Sequence, residues 1–482
     1  MSSTQSMPRA SSTQAPKRAP LTPNGERIAR RYQRRLRGMD LLETLVYFSV
    51  AISIALFLAD GGAVYFVNLS AWGDITRGLG IVLGLIGSDL LLVMLLLSAR
   101  LPLLDRVFGH DKVIAQHRKL GKPVLYLILA HMVLLLVGYG LAENLNPVAE
   151  VFSMINTLPD MLWAFIAMGL MVLVVVTSLV IVRRKLAYQF WHAVHLLAYV
   201  AVLAAIPHQF SNGQLFADGK WARWYWIVLY VGTLASIVIF RFIVPAARSL
   251  RHDLVVSEVR KEANDVVTIT MRGRDLASLP AKGGQFFNWR FMTRGLWLEA
   301  HPYSLSAAPD GTHLRISVRE LGDASRRLLA MKPGTRVVFE GPYGLFSESA
   351  RTTEQAVFIG AGIGVTPLRA MLEDPNIGKR QATVILRGST DEEVYLWNET
   401  YELCVAKEAW LRVLVGSRPP GVQTWLSADA YNQGERLTTL APNIKNSDVF
   451  ICGPTPWTDL VIRDARRAGV PEHRIHAERF DF

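Results

Sequence analysis

A chain of 482 residues is too long for one ordinary domain and predicts two to four. With 51% hydrophobic and only 19% charged residues, the composition excludes an ordinary soluble enzyme. The formal net charge of +12 does not predict a nucleic-acid partner: much of the excess lies in Arg27–Arg37 and in short loops beside apolar runs, where basic residues set membrane topology. Cys404 and Cys452 are far apart in a charged half of the chain, which predicts reduced cytosolic thiols and no disulfide framework.

Residues 1 to about 26 are rich in Ser, Thr, Gln, Pro and Ala, and the basic segment 1–39 is expected to be disordered. The first apolar stretch begins after residue 40 and is long enough to act as an uncleaved anchor. Within 40–245 six spans are predicted, at about 41–59, 78–98, 120–141, 160–182, 188–207 and 222–244. Lys and Arg cluster before the first span, in the second and fourth loops and after the sixth span. Acidic residues mark the alternate loops. This bias predicts a multi-pass protein of the inner or plasma membrane with both termini in the cytoplasm.

Histidines punctuate this region. His117 and His131 bracket the third span fourteen residues apart, about 21 Å along one face of an ideal helix. His195 and His208 bracket the fifth span at about 20 Å. The two spans run in the same direction, so His117 faces His195 near the cytoplasm and His131 faces His208 near the outside. Each pair offers two imidazoles to one haem iron, which predicts two b-type haems. Thirteen residues rotate an ideal helix by roughly 220°, however, which sets His195 and His208 on different faces. Pro207 can re-aim His208, and His192 competes with His195 as ligand. Isolated interfacial histidines bonded to backbone are the alternative reading. Asp89 is a further ionisable group inside a span, read as a bundle hydrogen-bonding residue ahead of a proton path.

From His252 to Gly344 six short β runs with turn residues between them predict a small antiparallel barrel at 250–350, with one helix near Ala324–Ala330. From about 355 to 482 strands alternate with helices, the pattern of a doubly wound parallel sheet. The expected architecture is therefore a six-helix transmembrane haem bundle, an antiparallel β-barrel and an α/β nucleotide-binding domain. In the last of these, Gly360, Gly362 and Gly364 form a turn between strand and helix that lets the backbone approach a pyrophosphate. Arg387 and Ser389 follow the next strand and Arg418 the one after. Arginines at strand ends suit a 2′-phosphate, so NADPH is favoured over NADH.

These features together resemble the NADPH oxidase and ferric reductase superfamily, in which a six-span haem domain is joined to a ferredoxin–NADP reductase-like module. FWHAVHLL followed by His208 is similar to the family's fifth-span ligand pattern, and this resemblance favours His195 over His192. It also implies FAD. His301-Pro302-Tyr303-Ser304 resembles the flavin motif, with Tyr303 along the ring and Ser304 near N5. Arg319, with Gly322 and Ser325 at the short helix, resembles the pyrophosphate segment. Gly360–Pro367, which includes Thr366, resembles the dinucleotide loop, and Cys452-Gly453-Pro454 the segment beside the nicotinamide. A C-terminal aromatic covers the flavin in this family, a role that falls to Phe482; Phe480 is read as buried in the last strand. Ser304, Cys452 and Phe482 are thus the expected catalytic residues. The implied activity is electron transfer from NADPH through FAD and two haems to an external acceptor. O2 giving superoxide is preferred. A ferric chelate or a periplasmic partner protein is the alternative, as are a sensor or assembly module without turnover and a flavoreductase without haem.

Overall fold

The computed structural model describes residues 22–67 and 71–480. Six of its helices are long and apolar enough to cross a membrane. The first, α1 (Pro23–Ala59), starts well before its apolar part. Thr22 caps it by accepting from Gly25 N at 3.1 Å, and Pro23 takes the first turn, where its missing N–H costs nothing. Residues 23–39 are thus helical, against the disorder expected there, while residues 1–21 lie outside the described residues. Propensity and the cap extend the helix. Contacts to the C-terminal half, invisible to composition, hold it.

α2 (Trp72–Ser98) is followed by the short α3 (Pro102–Val107) and by α4 (His110–Glu143). α2 and α4 pack closely because glycines line their contact. A Cβ on Gly80 would lie 3.0 Å from Leu135, and one on Gly87 3.0 Å from Ile128. Asp89 on α2 is buried and accepts from Ser49 at 2.9 Å and Ser53 at 3.2 Å, both on α1. That is the structural reading of this carboxylate. α5 (Pro147–Thr157) fills the loop before α6 (Met161–Ser178), and α7 (Val180–Arg183) leads to α8 (Tyr188–Asn212), which lies along α6. α8 runs through Pro207 without a break. α9 (Trp221–Val238) passes through a π-turn, Ile239–Ile243, into α10 (Val244–His252). Pro245 has no N–H to return to the preceding turn, which accounts for the irregularity.

The first soluble module is a six-stranded antiparallel sheet in the order β4-β3-β6-β1-β2-β5. Its strands are β1 (Leu254–Ala263), β2 (Val266–Arg272), β3 (Phe286–Phe291), β4 (His301–Ser304), β5 (His313–Arg319) and β6 (Arg336–Tyr343). Period-two alternation drives Phe287, Trp289 and Phe291 of β3 into the core while their neighbours face outward. The edge strands approach at one bridge, Leu305–Ile316, so the sheet curls without the continuous ladder expected of a closed barrel. β4 has only four residues, too few to complete it. α11 (Asp323–Leu329) follows β5.

The second module is a parallel sheet, β11-β10-β7-β8-β9. It comprises β7 (Gln355–Ala361), β8 (Ala382–Gly388), β9 (Trp410–Val415), β10 (Ser447–Pro454) and β11 (Ile475–Phe480). Helices α12 (Val365–Leu372), α13 (Trp397–Ala406), α14 (Ala428–Asn432), α15 (Leu437–Leu440) and α16 (Thr455–Arg467) connect them. Successive residues of β7 and β10 enter different cores: Val357, Ile359, Val449 and Ile451 on one face, Phe358 and Phe450 on the other. Burial on both faces is why these strands read as unbroken apolar runs.

Candidate functional site

Inside the bundle, α4 and α8 bring the ring centroids of His117 and His195 to 6.2 Å. Two imidazoles bonding one metal through Nε2 at about 2 Å need a centroid spacing of about 6 Å. The Nδ1 atoms point elsewhere, His117 to Met94 O at 3.0 Å and His195 to Ser178 Oγ at 3.2 Å. A backbone carbonyl on Nδ1 selects the tautomer whose Nε2 lone pair is free for a metal. His131 repeats the arrangement, donating Nδ1–H to Gly80 O at 2.8 Å. His208 is near His131, and its Nδ1 is buried with no well-formed hydrogen bond among the described residues. Gly84 permits the fit, since a Cβ there would stand 2.4 Å from His131 Nδ1. Neither Gly84 nor Ser178 was legible as a site residue, because each contributes through a neighbouring helix. Arg77, near the start of α2, is engaged by Asp74 and lies over the Tyr139 ring.

At the flavin motif, β4 places Tyr303 partly against the first module's core, and burial pushes its phenol up to about 12. Ser304 is buried and donates to Glu478 Oε2 at 3.3 Å. Glu478, on β11, is a site residue the motif reading missed. Burial, then the Asp111 charge, push its carboxyl up to about 8, against a smaller opposing effect from Ser304. It therefore carries a proton near neutrality. Register places Cys452 beside both Glu478 and Gly360. Burial, followed by Glu478, raises the Cys452 thiol well above its ordinary range, so it stays a thiol. His301 Nε2 is buried with no hydrogen-bond partner among the described residues, and Pro302 is exposed.

Arg319 is held by Asp265 at 2.8 Å and approaches the position a Cβ would take on Gly362, so the pyrophosphate candidates of both modules adjoin. Ser325 Oγ accepts from Gly322 N at 2.9 Å and closes the start of α11. Gly362 has φ +56°, open to glycine at least cost. A Cβ on Gly364 would sit 2.2 Å from Cys452 O, and one on Gly453 2.8 Å from the Trp457 ring. These are backbone approaches that only glycine allows. Gly360 packs against Leu368, and Thr366 Oγ1 bonds Ile363 O at 2.9 Å within the turn; Thr366 and Pro367 are buried and Pro454 half-buried.

Arg418 lines a cavity of about 600 Å³ with Pro419, Val422, Gln423, Pro456 and Arg463, at the carboxyl ends of β9 and β10. Arg463 joins it from α16, unforeseen because it lies far along the chain. Arg387 does not join it. Its guanidinium donates to the carbonyls of Gly388, Leu414 and Gly416. Ser389 is exposed, its N–H bonded to Glu393 at 2.9 Å. Phe482 lies outside the described residues. Phe480 packs partly buried on the second module's core.

A multi-pass bundle with paired intramembrane histidines, joined to a two-sheet flavin and nucleotide module, defines a membrane oxidoreductase. Residues 83–206 match the ferric reductase like transmembrane component family and residues 252–347 an FAD-binding domain family. Ferredoxin--NADP reductase B of Sorangium cellulosum is 31% identical over 37% of this chain and 77% of its own length. NADPH oxidase 1 of Mus musculus is 26% identical over 43% of this chain and 40% of its own. Flavohemoprotein of Xylella fastidiosa is 27% identical over 47% and 58%. This chain thus spans about half the length of the last two. It belongs to the NADPH oxidase and ferric reductase superfamily, as a transmembrane FAD flavoprotein of electron transport.

Proposed function

We propose that this chain takes electrons from cytosolic NADPH and delivers them across the membrane to O2, giving superoxide. The observation that carries the reading is the His117–His195 pair at 6.2 Å. His117 lies on the helix whose start, His110, packs on Phe286 and Tyr343 of the flavin module.

NADPH would be held by the Gly360–Gly364 turn, with Arg418 and Arg463 suited to its 2′-phosphate. FAD would be held by His301–Ser304, Arg319 and the Gly322–Ser325 segment. Two b-type haems would be held by His117 with His195 and by His131 with His208. When bound, these groups supply hydride acceptance and one-electron relay, chemistry that no side chain here performs. The protein's own residues orient and insulate. Carbonyl acceptors keep the imidazole tautomers suited to ligation, and Ser304 with protonated Glu478 holds a proton where the two modules meet. The apolar bundle excludes water between the two histidine levels. The likeness to NADPH oxidase 1 favours oxygen over a ferric chelate or a periplasmic protein.

The purified protein should show a six-coordinate haem spectrum that NADPH reduces, and oxygen uptake sensitive to superoxide dismutase. Reduction of ferric citrate in preference to oxygen would transfer the reading to the reductase branch. His195→Ala should abolish the inner haem signal while His192→Ala retains it; the reverse result would make His192 the ligand.

A further inference from the structure

We infer that the junction between the bundle and the flavin module contains a binding site for the phosphate of an anionic phospholipid, formed by Arg35, Arg106 and Arg248. A cavity of about 400 Å³ lies there, walled by α1, the α2–α4 connection, α10 and the β6 turn. It shares none of the residues proposed to hold FAD. Six cations line it: Arg31, Arg35, Arg100, Arg106, Arg248 and Lys282. Three of these are ion-paired: Arg31 and Lys282 share Glu348, and Arg100 shares Glu340 with Arg290. The other three make no ion pair among the described residues. Arg35 spends one N–H on Val107 O at 2.9 Å and Arg248 one on Gly341 O at 2.7 Å, of the five each guanidinium carries. The lining has a single carboxylate, Asp105, and it already faces His110 at 3.1 Å.

Unpaired guanidinium groups in a partly enclosed space are costly unless an anion joins them, and the fork geometry of arginine suits phosphate oxygens. The remaining walls select the kind of anion. Phe240, Val244, Pro245 and Pro102 make one side apolar. Beside it Leu103, on the short α3, and Phe242 and Ile243, in the last candidate span, are exposed, so acyl chains can follow the phosphate without leaving an apolar surface. A phosphate that carries its own hydrocarbon satisfies both walls, whereas a soluble phosphate satisfies only the cations. Bound there, a lipid would bridge the bundle and the flavin module.

The test is native mass spectrometry of the full-length protein in mild detergent, titrated with phosphatidylglycerol, phosphatidylcholine or soluble glycerol phosphate. One phosphatidylglycerol should remain bound per chain, with phosphatidylcholine released. Arg35→Gln and Arg248→Gln should each weaken retention about fivefold, and Arg336→Gln, on the far side of β6, should not. Arg35→Lys and Arg248→Lys should restore much of it, which separates lost charge from lost folding. Equal retention of both lipids, unchanged retention in the glutamine variants, or displacement by millimolar glycerol phosphate would each overturn the assignment. None of these readouts depends on electron transfer.

Discussion

Glu478 shows how one burial event sets a protonation state. Its folded carboxyl titrates at about 8, far above a carboxylate in an unfolded chain. The folded state therefore binds the extra proton between those values, and stability falls as pH rises through that window. Glu478→Gln removes the titration. Its melting temperature should change less than wild type between pH 5 and 8.5, and it should be the more stable protein at pH 8.5, as differential scanning fluorimetry would show. Matching slopes for the two proteins would refute the raised titration. Glu399 has the opposite sign. Burial pushes its carboxyl up, but Arg315, Arg260 and Arg369 outweigh that effect and hold it at about 2. Its contribution is complete above the ordinary carboxylate range and is lost as pH falls toward 2, so Glu399→Gln should weaken the junction of the two sheet modules at neutral pH and flatten acid unfolding.

Helix pairs and turns depend on glycines whose role is only the absence of a side chain. On the function proposed above, Gly84→Val would force its Cβ onto His131 and should cost about 1–3 kcal/mol together with the haem signal of His131 and His208, while that of His117 and His195 persists. Loss of both signals equally would argue against two separate histidine levels. Gly364→Ala should raise the KM for NADPH and leave FAD content intact, since its Cβ would collide with Cys452 O rather than with the flavin motif. The HPYS strand, the glycine turn and the histidine spacing were legible because each is local, with residue type and interval carrying the chemistry. Arg387 marks the reach of such local patterns, because an arginine after a strand looks the same whether it faces a ligand or bonds to carbonyls. Ser178, Gly84, Arg463 and Glu478 come from other elements, and no interval along the chain connects them to their partners.

Across the whole molecule, α1 extends beyond the bundle to meet the C-terminal half. Arg31 pairs with Glu348 at 2.9 Å, Arg27 donates to Asn376 at 2.7 Å and Tyr32 stacks on His473. Glu348 is 1% exposed. Burial pushes its carboxyl up, yet Arg31 and Lys282 hold it below the ordinary range. Arg31→Ala should cost about 2 kcal/mol, less than a fully buried pair because Arg31 keeps solvent contact. A double-mutant cycle with Glu348→Ala measures the coupling, and additive effects would rule it out. The same variant should open the junction to protease.

Composition and spacing determined the broad organisation: six spans and two sheet modules are consequences of apolar run length and strand alternation, and the fourteen-residue interval sets His117 and His131 on one helix face. These are properties of neighbours in the chain. The tertiary structure alone decided that residues 23–39 are helical, that the first sheet curls without a continuous closing ladder, that Arg387 bonds to carbonyls and that Glu478 meets Ser304. Each depends on burial and charge among residues that folding brings together, from Arg387 and Gly416, 29 positions apart, to Ser304 and Glu478, 174 apart, and Arg31 and Glu348, 317 apart.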